Sequence, residues 1–107
     1  LGDVYKRQKY TLITGASKGM GLEMARECCS LGRNVLLIAL QHEGLDIVAN
    51  ELSQKFGVLV DYFEVDLTEK KSAKKIHSWV IEKKYKVKVY DNILIHKYFY
   101  KDVINFL

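Results

Sequence analysis

The chain is predicted to be an α/β protein built on a parallel sheet with helices on both faces. Three observations predict it. Short β-branched or apolar runs alternate with amphipathic segments in the order βαβαβαβ. One run, Asn34-Val-Leu-Leu-Ile-Ala39, is apolar almost throughout, as a central strand covered on both faces must be. A glycine-rich turn, Thr14-Gly15-Ala16-Ser17-Lys18-Gly19-Met20-Gly21, joins the first strand to the first helix. Right-handed crossovers then place the strands in the order 3-2-1-4, one part of a doubly wound sheet.

Each element has its own signal. Residues 1–8, LGDVYKRQ, carry no periodicity and end in a charged cluster. They are read as a non-native or disordered leader, and they resemble translated adaptor sequence at the ends of assembled reads. Tyr10 to Thr14 is β-branched and aromatic, the first strand. Met20 to Leu31 is the first helix, with Leu22, Ala25, Cys29, Met24 and Cys28 on its apolar side and Gly32 ending it. Residues 34–39 form the second strand. Glu43 to Phe56 is the second helix, because Leu45, Val48, Ala49, Leu52 and Phe56 make one stripe that stops at Gly57. Val58 to Val65 is the third strand. Thr68 is expected to cap the third helix, whose inward residues are Ala73, Ile76, Trp79 and Val80. Asn92 to Ile95 is the fourth strand, so the folded domain is expected over residues 9–95.

Composition narrows the function classes. A length of 107 residues suits one small domain or part of a larger one. No apolar run approaches the roughly 18 residues of a membrane span, and no secretory signal is visible. A cytoplasmic setting without a membrane partner is the expectation. Cys28 and Cys29 are adjacent, a spacing that suits neither a disulfide nor a metal site, so inert buried thiols are expected. The histidines at 42, 77 and 96 share no ligand spacing, and no metal is expected.

The net charge of +4 is unevenly placed. Residues 1–68 hold seven Lys/Arg against nine Asp/Glu, whereas residues 69–107 hold ten lysines against four acids. The lysines at 70, 71, 74, 75, 83 and 84 fall around a helix and read as a solvated face. Arginine, the better phosphate and base-edge fork, is absent from this half, so no nucleic-acid partner is expected.

The glycines at 15, 19 and 21 are spaced Gly-x-x-x-Gly-x-Gly, between a strand and a helix. In that context glycines permit a sharp turn and let a pyrophosphate approach unpaired N–H groups at a helix start. The pattern is neither Gly-x-Gly-x-x-Gly nor a triphosphate P-loop. Thr-Gly-x-x-x-Gly-x-Gly resembles the cofactor loop of the short-chain dehydrogenase/reductase family, and the resemblance extends over about residues 10–95. It implies a partial Rossmann-like domain. Gly15, Ser17, Lys18, Gly19, Met20 and Gly21 would then lie on the diphosphate side of a nicotinamide dinucleotide. Ala39 and Leu40 match the strand-end positions bordering the adenosine ribose. Asp66 and Leu67 match the pair that holds the adenine, although Asp66 also suits a cap for the following helix.

Cofactor choice follows from the same positions. An acid at the strand end would pair with the ribose hydroxyls of NAD, and Ala39 is not acidic. Lys18 matches the basic residue of many NADP-preferring members, or is an exposed turn lysine. Leu40 stands where an arginine is common. NADP is therefore favoured, with NAD as the alternative.

The match ends abruptly. The family's Asn-Asn-Ala-Gly after the fourth strand is replaced by His96-Lys97-Tyr98-Phe99, and residues 86–92 are longer than the usual lead-in. Residues 96–107 are read as an aberrant tail, from a shifted frame or a truncation. The family's Ser and Tyr-x-x-x-Lys proton-transfer residues would lie beyond residue 107. The one Tyr-x-x-x-Lys present, Tyr5 to Lys9, falls in the leader and is a chance match. The expectation is a cofactor-binding fragment of an NAD(P)-dependent oxidoreductase, itself inactive and without catalytic residues. The usual family oligomer is not expected, since later helices supply that surface. The alternative is a non-catalytic dinucleotide-binding or interaction module.

Overall fold

The computed structural model describes residues 9–87 and 93–94. Its elements are β1 (Lys9–Thr14), α1 (Gly19–Ser30), β2 (Asn34–Ala39), α2 (Leu45–Phe56), β3 (Val60–Glu64), α3 (Ser72–Lys83), β4 (Lys86–Val87) and β5 (Ile93–Leu94). The three longer strands lie side by side as β3-β2-β1, all parallel. Tyr10 to Thr14 run beside Asn34 to Ile38, and Val35 to Ala39 beside Val60 to Glu64.

Strand periodicity sorts the core into two layers. Ile13, Val35, Leu37 and Ala39 pack on one face against Ala25, Cys28 and Cys29 of α1 and Leu45, Ala49 and Leu52 of α2. Tyr10, Leu12, Leu36 and Ile38 pack on the other against Ala73, Ile76, Trp79 and Val80 of α3. Val35, Leu36, Leu37 and Ile38 are all fully buried, which is why their run needs no polar alternation. Aromatic rings extend the second layer. Phe63 stacks on Trp79 at 5.1 Å between centroids, and Tyr85 meets Trp79 edge-on at 5.7 Å. The Tyr85 hydroxyl donates to Asp61 on β3. Burial, and then that hydrogen bond, push its phenol well above the usual value.

The helices follow the apolar stripes with local differences. In α1 both cysteines are buried, while Met24 turns outward. The stripe of α2 is inside as expected, with Val48 and Phe56 packed at its margin. The helix stops at Gly57, whose N–H donates to the Ser53 carbonyl at 2.9 Å.

Three expectations need correction. Thr68 does not cap the third helix, which starts at Ser72 after Lys71. The cause is a competing turn. Asp66 Oδ1 accepts both the Thr68 N–H at 2.9 Å and the Thr68 hydroxyl at 2.7 Å. Backbone bonds from Glu69 to Asp66 and from Ser72 to Glu69, each 3.1 Å, occupy the following residues.

The third strand begins at Val60, not Val58. The Val58 carbonyl accepts the Ser53 hydroxyl at 2.9 Å, and the Leu59 N–H is taken by Asn34 Oδ1 at 2.9 Å. Side chains thus serve groups that a ladder would otherwise use.

The order 3-2-1-4 does not hold as four full strands. Beyond β1 lie two short pieces, β4 and β5, both paired parallel with β1. Tyr10 faces Val87 and Leu12 faces Ile93, so two steps along β1 correspond to six along the partner. That surplus is the long lead-in seen in the sequence, and one uninterrupted strand cannot accommodate it in register. Residues 88–92, the leader at 1–8, and 95–107 with His96 and the aberrant tail lie outside the described residues.

Candidate functional site

The site is assembled where β1, β2 and β3 end. β1 runs into Gly15, whose φ of +63° belongs to the left-handed region open to glycine. The Ala16 N–H donates to the Ile38 carbonyl at 3.2 Å and ties the turn to the end of β2. Lys18 then leads into α1 in an extended conformation, with no side-chain capping bond. No acid stands in the first turn of α1. The helix therefore presents its first N–H groups and the positive end of its dipole without a carboxylate of its own.

Gly21 explains the closeness of helix and turn. A Cβ there would lie 2.1 Å from the Gly15 carbonyl oxygen and 2.9 Å from that of Thr14. Only glycine lets the first turn of α1 sit on the backbone of the loop. At Gly15 and Gly19, by contrast, nothing lies within 4 Å of an added Cβ, so their outer faces are open backbone. Open backbone on one side and a glycine-only contact on the other form the cradle that a diphosphate group requires, and these residues fit it.

Beside this turn is a cavity of about 230 Å³. The β1–α1 turn contributes Gly15, Ser17 and Lys18 to its wall. The end of β2 contributes Ala39 and Leu40, and the segment after β3 contributes Asp66 and Leu67. Seven of the ten residues singled out in the sequence thus share one wall. Gly19, Met20 and Gly21 do not line it. They form the start of α1, with Met20 mostly exposed.

Three wall residues were not anticipated: Glu43, Val65 and Thr68. Val65 is buried and its N–H donates to the Ala39 carbonyl at 2.9 Å, which joins two of the contributing segments. Thr68 holds Asp66, and these two hydrogen bonds keep the Asp66 carboxyl below the usual carboxylate range. Asp66 therefore does serve a local turn. Glu43 Oε2 lies 3.4 Å from Lys18 Nζ. Nothing in the sequence periodicity signals that pairing.

Among the described residues no group of three His, Cys, Asp or Glu is placed to hold a metal ion. No described helix is long and apolar enough to cross a membrane.

Residues 9–92 match the family model described as short chain dehydrogenase. The chain belongs to this family. The matched span takes in the glycine turn, all three longer strands and the Asp66-Leu67 pair. Among similar proteins is a very-long-chain 3-oxoacyl-CoA reductase of Debaryomyces hansenii, 36% identical over 61 residues. The alignment covers 57% of this chain and 18% of that protein. The L-sorbose reductase of Gluconobacter frateurii, solved with NADPH and L-sorbose, superposes with a TM-score of 0.65 at 32% identity. That match covers 70% of this chain and 28% of the reductase. The alcohol dehydrogenase of Thermococcus sibiricus, complexed with 5-hydroxy-NADP, gives 0.65 at 34% identity over 71% of this chain and 32% of its own. The short-chain dehydrogenase relatives are thus several times longer than the part this chain spans.

Proposed function

We propose that this chain forms the dinucleotide-binding part of an NADP(H)-dependent short-chain oxidoreductase. The observation that carries the reading is the convergence of three strand-end segments on one cavity beside an uncapped, glycine-built helix start. That is the crevice outside the carboxyl ends of parallel strands where ligands of this fold class bind. The matches to proteins solved with NADPH and with 5-hydroxy-NADP support a nicotinamide dinucleotide.

In this reading the backbone of Gly15, Gly19, Met20 and Gly21, with Ser17, receives the diphosphate. Lys18 offers its ammonium to the 2′-phosphate. Ala39 and Leu40 flank the adenosine ribose without an acid at the strand end. Leu67 supplies apolar surface to the adenine, and Asp66 accepts from its amino group through the oxygen that Thr68 leaves available. Bound there, the nicotinamide would supply hydride transfer to or from a carbonyl or alcohol carbon. That step is proposed for the whole protein.

Calorimetric titration of the chain with NADPH tests the reading. Saturable 1:1 binding that Gly21→Ala abolishes is the expected result. No saturable binding of either NADPH or NADH by the folded chain overturns it.

A further inference from the structure

The cavity wall beside the glycine turn is of mixed charge. It carries one cation, Lys18, and two acids, Glu43 and Asp66. Asp66 is engaged by Thr68. Glu43 is directed at Lys18, at 3.4 Å. The two partners differ in freedom. The Lys18 side chain is 83% exposed, whereas that of Glu43 is only 22% exposed. Glu43 is therefore the fixed member and Lys18 the member that comes to it.

The backbone explains why Glu43 is fixed. It lies between His42 and Gly44, whose φ angles are +66° and +74°. Left-handed residues thus flank Glu43 on both sides in the short β2–α2 connection. One of them is a histidine, which holds this conformation at some cost. The loop conformation is then locked by α2, since the Ile47 and Val48 N–H groups both donate to the Gly44 carbonyl at 3.1 Å. Leu45, the next residue, is fully buried in the first core layer. The backbone that carries Glu43 is thus held at the cavity rim by the start of α2.

Resting on the proposed dinucleotide site, we infer that Glu43 is a cofactor-discriminating residue. It occupies Lys18 and adds its own negative charge, so it lowers affinity for a 2′-phosphorylated adenosine relative to one with a free 2′-hydroxyl. A neutral ribose diol meets no such repulsion and can donate hydrogen bonds to a carboxylate. A phosphate must displace Glu43 from Lys18 and then sit beside it. The strand-end position that usually makes this choice is Ala39, which has no group to make it with. Discrimination moves four residues along the chain, to the rim of the same cavity.

The test is calorimetric titration of the wild-type chain, Glu43→Gln and Lys18→Gln with NADP⁺ and NAD⁺ at low salt. Glu43→Gln keeps the side-chain shape and removes only the charge. It is expected to raise the ratio of NADP⁺ to NAD⁺ affinity by about twofold to fivefold, the range for one partly exposed charge contact. Lys18→Gln is expected to lower the same ratio. A ratio unchanged or reduced in Glu43→Gln, with both cofactors still bound, overturns the role of Glu43 and leaves the dinucleotide site standing. A ratio unmoved by Lys18→Gln overturns the part played by the ion pair. Binding of neither cofactor by any of the three folded chains overturns the site itself, and the inference with it.

Discussion

Gly21 rests on Gly15: a Cβ at position 21 would lie 2.1 Å from the Gly15 carbonyl oxygen and 2.6 Å from its carbon. The obstacle is backbone on both sides, so no rotamer change can relieve it. Gly21→Ala must push α1 away from the turn that it opens.

The two glycines should therefore fail differently. Gly15→Ala has open space but must hold φ near +63°, which costs roughly 1–2 kcal/mol for a side-chain-bearing residue. Gly21→Ala is expected to cost more than this, at or above the roughly 1–3 kcal/mol usual for overpacking, because a helix must move. Urea denaturation of both variants, followed by circular dichroism, checks the order. Equal stability of Gly21→Ala and wild type would show that helix and turn are not in contact.

The cysteines should be unreactive in the folded chain. Burial pushes the Cys29 thiol from 9.0 up to about 11, and burial also raises Cys28. Both thiols are then neutral at pH 8, and the nucleophilic thiolate is scarce. Alkylation by iodoacetamide at pH 8 is expected to be many times slower in native buffer than in urea. The native state binds the Cys29 proton more tightly than the unfolded chain does. Its stabilising contribution is thus complete below pH 9 and lost between pH 9 and 11, by roughly 2 kcal/mol at the upper end. Tyr85, also raised, acts in the same direction. A melting temperature that climbs from pH 9 to 11 would contradict this account.

Asp66 should report on Thr68. Both of the strongest influences on its carboxyl are hydrogen bonds from that one residue, and both lower it. Thr68→Val keeps the N–H and removes the hydroxyl, so the Asp66 carboxyl should titrate at higher pH than in wild type. The sign follows from losing a donor to the charged form. Carbon-detected NMR titration of the aspartates measures it, and an unmoved Asp66 would mean that the hydroxyl bond does not persist in solution.

Two isoleucines on α3 make a paired control of the second core layer. Ile76 is 1% exposed beneath the sheet, and Ile81 is 61% exposed. Ile76→Ala is expected to cost about 2–5 kcal/mol through lost burial and a residual cavity. Ile81→Ala should stay within about 0.5 kcal/mol of wild type. Trp79, the single tryptophan, packs in the same layer and gives a fluorescence readout of unfolding. Similar losses for both variants would refute the assigned faces of α3.

Much of this molecule is decided by features a few residues long. Alternation along β1 and β2 sends Leu36 and Leu37 to opposite faces whatever else the chain does. The stripe from Leu45 to Phe56 chooses the buried side of α2, and the spacing of Gly15, Gly19 and Gly21 marks a turn into a helix. These are periodicities and backbone permissions, and they act locally. That is why the parallel α/β class was legible in the sequence, whereas the seven wall residues were legible through the resemblance of their motifs to the short-chain dehydrogenase/reductase family.

The tertiary structure decided what depends on groups distant in the chain, or on competition between neighbours. Thr68 had two partners to choose from, and the nearby Asp66 carboxylate won it from the helix start. Asn34 drew Leu59 out of the third strand from twenty-five positions away. Glu43 met Lys18 across the same sequence separation, from a loop position flanked by two left-handed residues and held by the burial of Leu45. Pattern assigns a residue to a face of its own element. Which charge stands opposite it is settled only when separate elements pack, since that contact has no period to read.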